Sequence, residues 1–350
     1  MKKASLLILL ALIGCSSDNW KKKDFEKELN KPVEEAQPSV EADPKLLKKF
    51  EVQVVEEKPA PKEVKVAKKK AVVKTEVKKV AAPVAVAPQI IPPPTKKALP
   101  KDYPADILAL NGRAEKTWDL YKPNHTTDEK IYLDIHYLGM TVGKIMVMNK
   151  GKKLINGKEH WHFHARFKSA PFYSSIYELD DTVDTYVTSE QFLSSRFSLI
   201  QRESKQDIDD LQLHDRDQMK TFSFYKQKKS DGTLRNKEKE SFIPFYSIDP
   251  FSVLFFYQGL PLKAGDVYEI PVINKARILL LRSEVEGKEQ INTELGKKMA
   301  IRVHATTKYS GETLKSGDMY FWFSDDAKRT LLKAQAKIKI GSVTADIVDN

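Results

Sequence analysis

One cysteine, Cys15, is all that the 350 residues contain, so no disulfide within the chain can staple its fold. The signatures of nucleophilic and phosphate chemistry are missing as well. There is no Gly-x-Ser-x-Gly elbow, no P-loop, no Gly-x-Gly-x-x-Gly turn and no His-Glu-x-x-His pair. Their absence removes the recognisable classes of serine hydrolase, P-loop enzyme, dinucleotide binder and zinc peptidase. No apolar run is long enough to cross a bilayer as a helix. The longest, Leu6 to Ile13, falls far short of the ~20 residues that ~30 Å of hydrocarbon requires. Aromatic residues are scarce between Phe25 and Tyr103, with Phe50 the exception. A basic excess is also missing from most of the chain. The net charge of +11 comes from residues 58–101, which hold twelve Lys and two Glu. Residues 1–57 carry −1 and the remainder from 102 carries +2, with 37 basic and 35 acidic side chains. A nucleic-acid-binding fold keeps its positive charge on the folded domain, so this distribution argues against one.

What is present starts with an export signal. Lys2 and Lys3 precede the apolar run, and Leu12-Ile13-Gly14-Cys15 follows it. This segment resembles the bacterial lipobox. The resemblance implies cleavage before Cys15 and acylation of that cysteine with palmitate-type chains, leaving residues 1–14 as a signal peptide. Several acyl chains, at about 0.8 kcal/mol per buried CH2, would hold the protein on a membrane. Ser16, not Asp, follows the cysteine, which favours the outer membrane facing the periplasm.

Residues 15–101 read as a disordered tether. Lys68-Lys69-Lys70 and Ile91-Pro92-Pro93-Pro94 typify a stretch without apolar periodicity, extended by proline and charge. Residues 102–350 read instead as one mainly β domain. Ile131, Leu133, Ile135 and Tyr137 alternate with polar residues, and Gly139 and Gly143 lead into Lys144 to Met148 as a hairpin. Further strands are predicted near 158–167, 182–188, 197–205, 219–228, 236–243, 267–273, 276–286, 297–308, 317–325 and 334–348. Asp249-Pro250-Phe251 before Ser252 to Tyr257 predicts one short helix that ends at Gly259. The expected architecture is an antiparallel, strongly curved sheet or partly closed β-barrel with that helix on its concave side.

Several pieces in order resemble the bacterial exported domain-of-unknown-function 3108 family. They are Tyr137-Leu138-Gly139 with Val142-Gly143, Leu179-Asp180-Asp181, Asp249-Pro250-Phe251-Ser252, Trp322-Phe323-Ser324-Asp325-Asp326 with Arg329, and Lys339 to Val343. The resemblance implies an envelope location and a β-rich fold, and no reaction. The hydrophilic stretch Asp207 to Asp217 departs from it.

Three groups are candidate sites. His160, His162 and His164 alternate, so on a strand they share a face, and two of them with His136, Asp134 or Glu159 would suit zinc. The plainer reading is a polar strand face with Trp161 and Phe163 in the core. Phe251, Phe255, Phe256, Tyr257, Tyr320 and Trp322 are a candidate lining for a concave lipid-binding cavity, or ordinary core. Asp325, Asp326 and Arg329 are expected to organise a turn. The acids from Asp207 to Asp217 read as a solvated turn rather than a calcium loop, since they lack its glycine and closing glutamate. No catalytic residue and no cofactor is indicated.

Three functions follow as expectations. The first is a non-catalytic, membrane-anchored lipoprotein whose β domain binds a partner protein, glycan or lipid in its concavity. The second is a structural spacer whose basic tether contacts the cell wall. The third is a metal-dependent envelope enzyme on the histidine strand.

Overall fold

Two-residue turns with positive φ at both positions set the hairpins of this chain. Leu138 and Gly139 (φ 49° and 81°) join Lys130–Tyr137 (β2) to Met140–Ile155 (β3). Asn156 and Gly157 (φ 49° and 71°) join β3 to Lys158–Ser169 (β4). Such turns match the twist of the flanking strands, which is why Asn-Gly and a residue before Gly recur there. The computed structural model describes residues 29–30, 37–54, 92–93, 95, 98–309, 312–313 and 318–349.

The strands continue as Asp180–Thr188 (β5), Ser194–Glu203 (β6), Gln206–Asp215 (β7), Lys220–Lys229 (β8) and Leu234–Phe242 (β9). After them come Val267–Ile273 (β10), Ile278–Thr293 (β11), Gly296–Tyr309 (β12), Glu312–Thr313 (β13), Met319–Ser324 (β14), Leu331–Lys337 (β15) and Ser342–Val348 (β16). They form one antiparallel sheet in the order β10-β11-β12-β14-β15-β16-β2-β3-β4-β5-β6-β7-β8-β9, with β13 beside β12. The sheet is curved but not closed, as the pattern predicted. Its two edges are treated differently. Helix α2, Ala105–Trp118, lies against β10, where Thr117 Oγ1 bonds both the N–H and the carbonyl of Glu269 and Arg113 pairs with its carboxylate. Strand β9 pairs with β8 alone among the described strands and carries exposed Arg235, Lys237, Glu238, Lys239 and Glu240, charges that oppose pairing with another chain.

Sequence and structure differ in four places. Helix α2 was not anticipated, because no capping side chain marks its start after Pro104. The acids from Asp207 to Asp217 do not make a solvated turn: most lie on β7, with Asp209, Asp210 and Asp215 buried. The stretch 334–348 is two strands parted at Gly341 (φ 75°). The fourth difference is the tether. Within 15–101, residues 37–54 are folded onto the domain, carrying the helix Pro44–Lys49 (α1) and the strand Val52–Val54 (β1). Strand β1 pairs with Lys153 to Ile155 at the end of β3 that β2 leaves free. Two further short helices are Pro171–Ser174 (α3) and Ser252–Gln258 (α4), the latter where the Asp249-Pro250 signal places it.

A change of face explains why this segment folds. On β2 to β5 the apolar residues point inward, as with Leu133, Val147, Phe163, Ala165 and Val183. On β7 and β8 the apolar residues Leu211, Leu213, Phe222 and Phe224 point outward, while Asp210, Gln212, His214, Thr221 and Ser223 point inward. Phe50, Leu46, Leu47, Val40 and Val52 cover that outward stripe together with Ile155 and Tyr186. Lys49 pairs with Asp215 and Asp217, both at 2.8 Å, and Arg196 donates to the Phe50 carbonyl. Burying a side chain such as Phe50 contributes roughly 1.5–3 kcal/mol, enough to hold a short strap in place. Leu29 is likewise buried, against Tyr132, Met146 and Val348. Most of the basic stretch 58–101, and the whole of 1–28 with Cys15, lie outside the described residues.

Candidate functional site

The concavity is occupied by protein. Helix α4 enters it with Phe255 stacked on Phe163, the rings 3.8 Å apart and 13° from parallel. Phe256 packs on Trp118, Tyr121 and Phe192, and Phe251 meets Phe255 edge-on. Tyr257 is fully buried between Phe321 and Phe323, its hydroxyl at 2.5 Å from Ser283 Oγ. The six aromatic candidates are therefore divided. Strand alternation on β14 sends Phe321 and Phe323 inward to Tyr257, and Tyr320 and Trp322 outward. On the outer face Arg302 lies over both rings, 4.7 Å from Tyr320 and 5.4 Å from Trp322, and His304 stacks on Tyr320. The six residues line no common cavity.

A small void remains beside α4, with about 20 Å³ of space, room for one water. His125, Glu129, Asn149, Gln258 and Thr330 give it polar walls and Phe163 and Phe255 an apolar floor. Burial pushes the His125 imidazole down to about 4, against a hydrogen bond with Gln258. It is a neutral, packed histidine.

The histidine strand lies on β4 as expected, with Trp161 and Phe163 inward and His160, His162 and His164 outward. All three imidazoles are nonetheless buried. His162 Nε2 and His164 Nδ1 both meet Asp184 Oδ1 of β5, at 2.6 and 2.8 Å, and Tyr186 stacks on His162 at 4.3 Å. Burial alone would raise the Asp184 carboxyl. The two histidine hydrogen bonds outweigh it and hold the group below the usual carboxylate range. His160 turns elsewhere, to Ser195 Oγ at 2.8 Å and the Lys158 carbonyl, and burial brings it down to about 4. Among the described residues no group of three or more His, Cys, Asp or Glu side chains is placed to hold a metal ion. The ligand set that the metal reading needed does not assemble: His136 pairs with Thr141, Asp134 with Lys144 and Glu159 with Lys152.

Asp325, Asp326 and Arg329 meet in the turn between β14 and β15. Asp326 accepts from the N–H groups of Lys328 and Arg329 and from Ser324, while Asp325 pairs with Lys288 at 2.7 Å and Arg329 at 3.4 Å. Arg329 has φ 53°. These contacts bind the turn to itself.

The buried roles of two polar groups escaped the sequence reading. Asp249, fully buried, does more than cap α4. Its carboxylate accepts from Thr185, Ser194 and Ser252 hydroxyls and from the N–H groups of Phe251 and Ser252, tying β5, β6 and α4 together. Asp181 is raised to about 7, chiefly by burial, with nearby Glu203 adding to the rise and bonds from Gln201 and Arg202 N–H opposing it. Nothing near Asp181 in sequence announces this, since both partners come from β6.

Fold and geometry together define a single curved antiparallel β domain, solid inside and belted outside by its own N-terminal segment. The chain belongs to the family described as "Protein of unknown function (DUF3108)", which it matches over residues 133–348. Comparison with curated proteins gave no match. Among solved structures it is similar to a β-barrel-like protein of domain of unknown function DUF1849 from Brucella abortus. That match has 10% identity and TM-score 0.41, covering 64% of this chain and 96% of the other. A protein from Bacteroides fragilis described as exported, with a YmcC-like fold, matches at 13% identity and TM-score 0.27, covering 65% and 97%. A protein from Parabacteroides distasonis described as a lipoprotein matches at 12% and 0.29, covering 64% and 95%.

Proposed function

We propose that this protein is a non-catalytic lipoprotein of the cell envelope, acylated at Cys15 and held at the outer membrane facing the periplasm. Its folded domain acts as a scaffold that engages a protein partner through its outer surface. The observation that carries this is the filled concavity: with Phe255 stacked on Phe163 and about 20 Å³ free beside them, the space next to α4 is too small for an acyl chain or sugar. Binding that cannot go inside goes to the faces and turns. The lipobox sequence supports the anchor. Metabolic labelling with palmitate, followed by crosslinking in cells, tests both halves. The account expects label in the membrane fraction and discrete crosslinked protein species, and loss of label in Cys15→Ser. A labelled Cys15→Ser variant, or unlabelled wild type, would remove the anchor. Wild type that yields no crosslinked protein would remove the partner.

A further inference from the structure

On the outer face of the sheet the strap stops short of the edge strand. Between helix α1 and β9 an open groove of about 630 Å³ remains. Phe222 and Phe224 of β8 and Leu46 of α1 give it an apolar surface, and Asp43, Glu238 and Glu240 bring carboxylates to it. The register of β9 on β8 sets this pattern. Phe222 lies opposite Glu240 and Phe224 opposite Glu238, so ring and carboxylate share a face. Lys239, also at the groove, alternates to the other face of its strand. Lys220 answers Glu240 at 3.1 Å and Asp43 caps α1 by accepting from the Lys45 N–H, while Glu238 meets no cation among the described residues. We propose that this groove binds the chain's own lysine–valine segment, Lys62 to Lys79, with valines on the two rings and lysines on the carboxylates. The inference is independent of the acylation at Cys15 and of any partner protein.

Chemistry selects this occupant. Residues 62–79 hold eight Lys, five Val and two Glu, so cations and small apolar side chains come interleaved, as the rings and carboxylates require. The strap sets the precedent on the same surface: Leu46 and Phe50 cover the apolar stripe while Lys49 binds Asp215 and Asp217. An anionic lipid surface or polymer would meet three carboxylates there, and like charges oppose that contact. The chain path agrees. Before the segment, Val52 packs on the cluster to which Phe222 and Phe224 belong. After it, the Tyr103 hydroxyl donates to the Ile243 carbonyl, and its ring meets Phe242 edge-on at 5.5 Å. Phe242 stands two residues along β9 from Glu240, ~7 Å at the rise of a strand. Fixing both flanks beside the groove raises the segment's local concentration to roughly millimolar, against which a peptide of another protein must compete. Docked in this way, the lysines are held on the domain in competition with anionic polymers.

The test uses the full-length protein and a carbodiimide, which joins a lysine to a carboxylate in contact with it. An equal mixture of unlabelled and heavy-nitrogen protein is crosslinked, digested and read by mass spectrometry. Links from residues 62–79 to Asp43, Glu238 and Glu240 are expected several-fold above links to Glu115 and Asp119, exposed carboxylates at the end of helix α2. Each linked pair should carry one isotope only. Molar salt should lower the groove links several-fold by screening. Glu238→Gln combined with Glu240→Gln, both at exposed positions, should lower the links to Asp43 and speed trypsin cleavage within 62–79 several-fold. Equal linking of groove and control carboxylates overturns the proposal, as does unchanged cleavage in the double variant. Links of mixed isotope would assign the groove to a second copy. Links from Glu238 to another protein in intact cells would assign it to that partner, and either result overturns docking of the chain on itself.

Discussion

A carboxyl that holds its proton near neutral pH gives the domain a pH signature that can be worked out in sign. Asp181 is raised from 3.8 to about 7 by burial. A raised acid contributes stability that is fully present below pH ~4 and is lost as pH climbs through 7, because the folded state binds the proton more tightly than the unfolded chain. Asp181→Asn removes this dependence while keeping an acceptor for the Arg202 N–H. Thermal melts at pH 5 and pH 8 check it: wild type should lose stability relative to the variant at the higher pH, and parallel curves would refute the assignment. His125 and His160, brought down to about 4, act in the opposite direction. Their contribution is present above pH ~6.5 and falls away as pH drops toward 4. Sequence gave access to the side of the strand on which each histidine sits, since alternation fixes it. It gave no access to Asp184 or Ser195, which meet the histidines only because β5 and β6 lie alongside.

Elements were legible where periodicity and turn chemistry agreed. The β2–β3 hairpin and helix α4 are examples, the first marked by Gly139 and the second by Asp249 and Pro250. Strand β7 was hidden because Asp210, Gln212 and His214 face the inside of the sheet and its leucines the outside, the reverse of β2 to β5. The strap was hidden for a related reason: Val40, Leu46, Phe50 and Val52 are too sparse to signal a fold by themselves, and become a belt only against the outward stripe of β7 and β8. Replacing Phe50 by Ala should cost ~3–5 kcal/mol of local stability and release the segment. Limited trypsin digestion of the full chain should then cut at Lys45, Lys48 and Lys49 faster than in wild type, with β2 to β16 still resistant. Unchanged cleavage would mean that Phe50 does not hold the strap.

At the scale of the molecule, the strap changes what the N-terminal third is for. A tether in series from 15 to 101 would let the domain reach ~300 Å from the membrane. With Leu29 and residues 37–54 fastened to the sheet, residues 15–101 are not one uninterrupted tether. The curved architecture could be anticipated from strand patterning, but the filled interior could not. Sequence marks Tyr320, Phe321, Trp322 and Phe323 as equally aromatic, and only the register of β14 decides which pair meets Tyr257. The scaffold reading depends on that interior being solid. Native mass spectrometry of the full-length protein from its own envelope measures this directly. The account predicts the mass of the chain from Cys15 with its covalent acyl groups and nothing else bound, whereas a co-purifying lipid or glycan released on denaturation would contradict it.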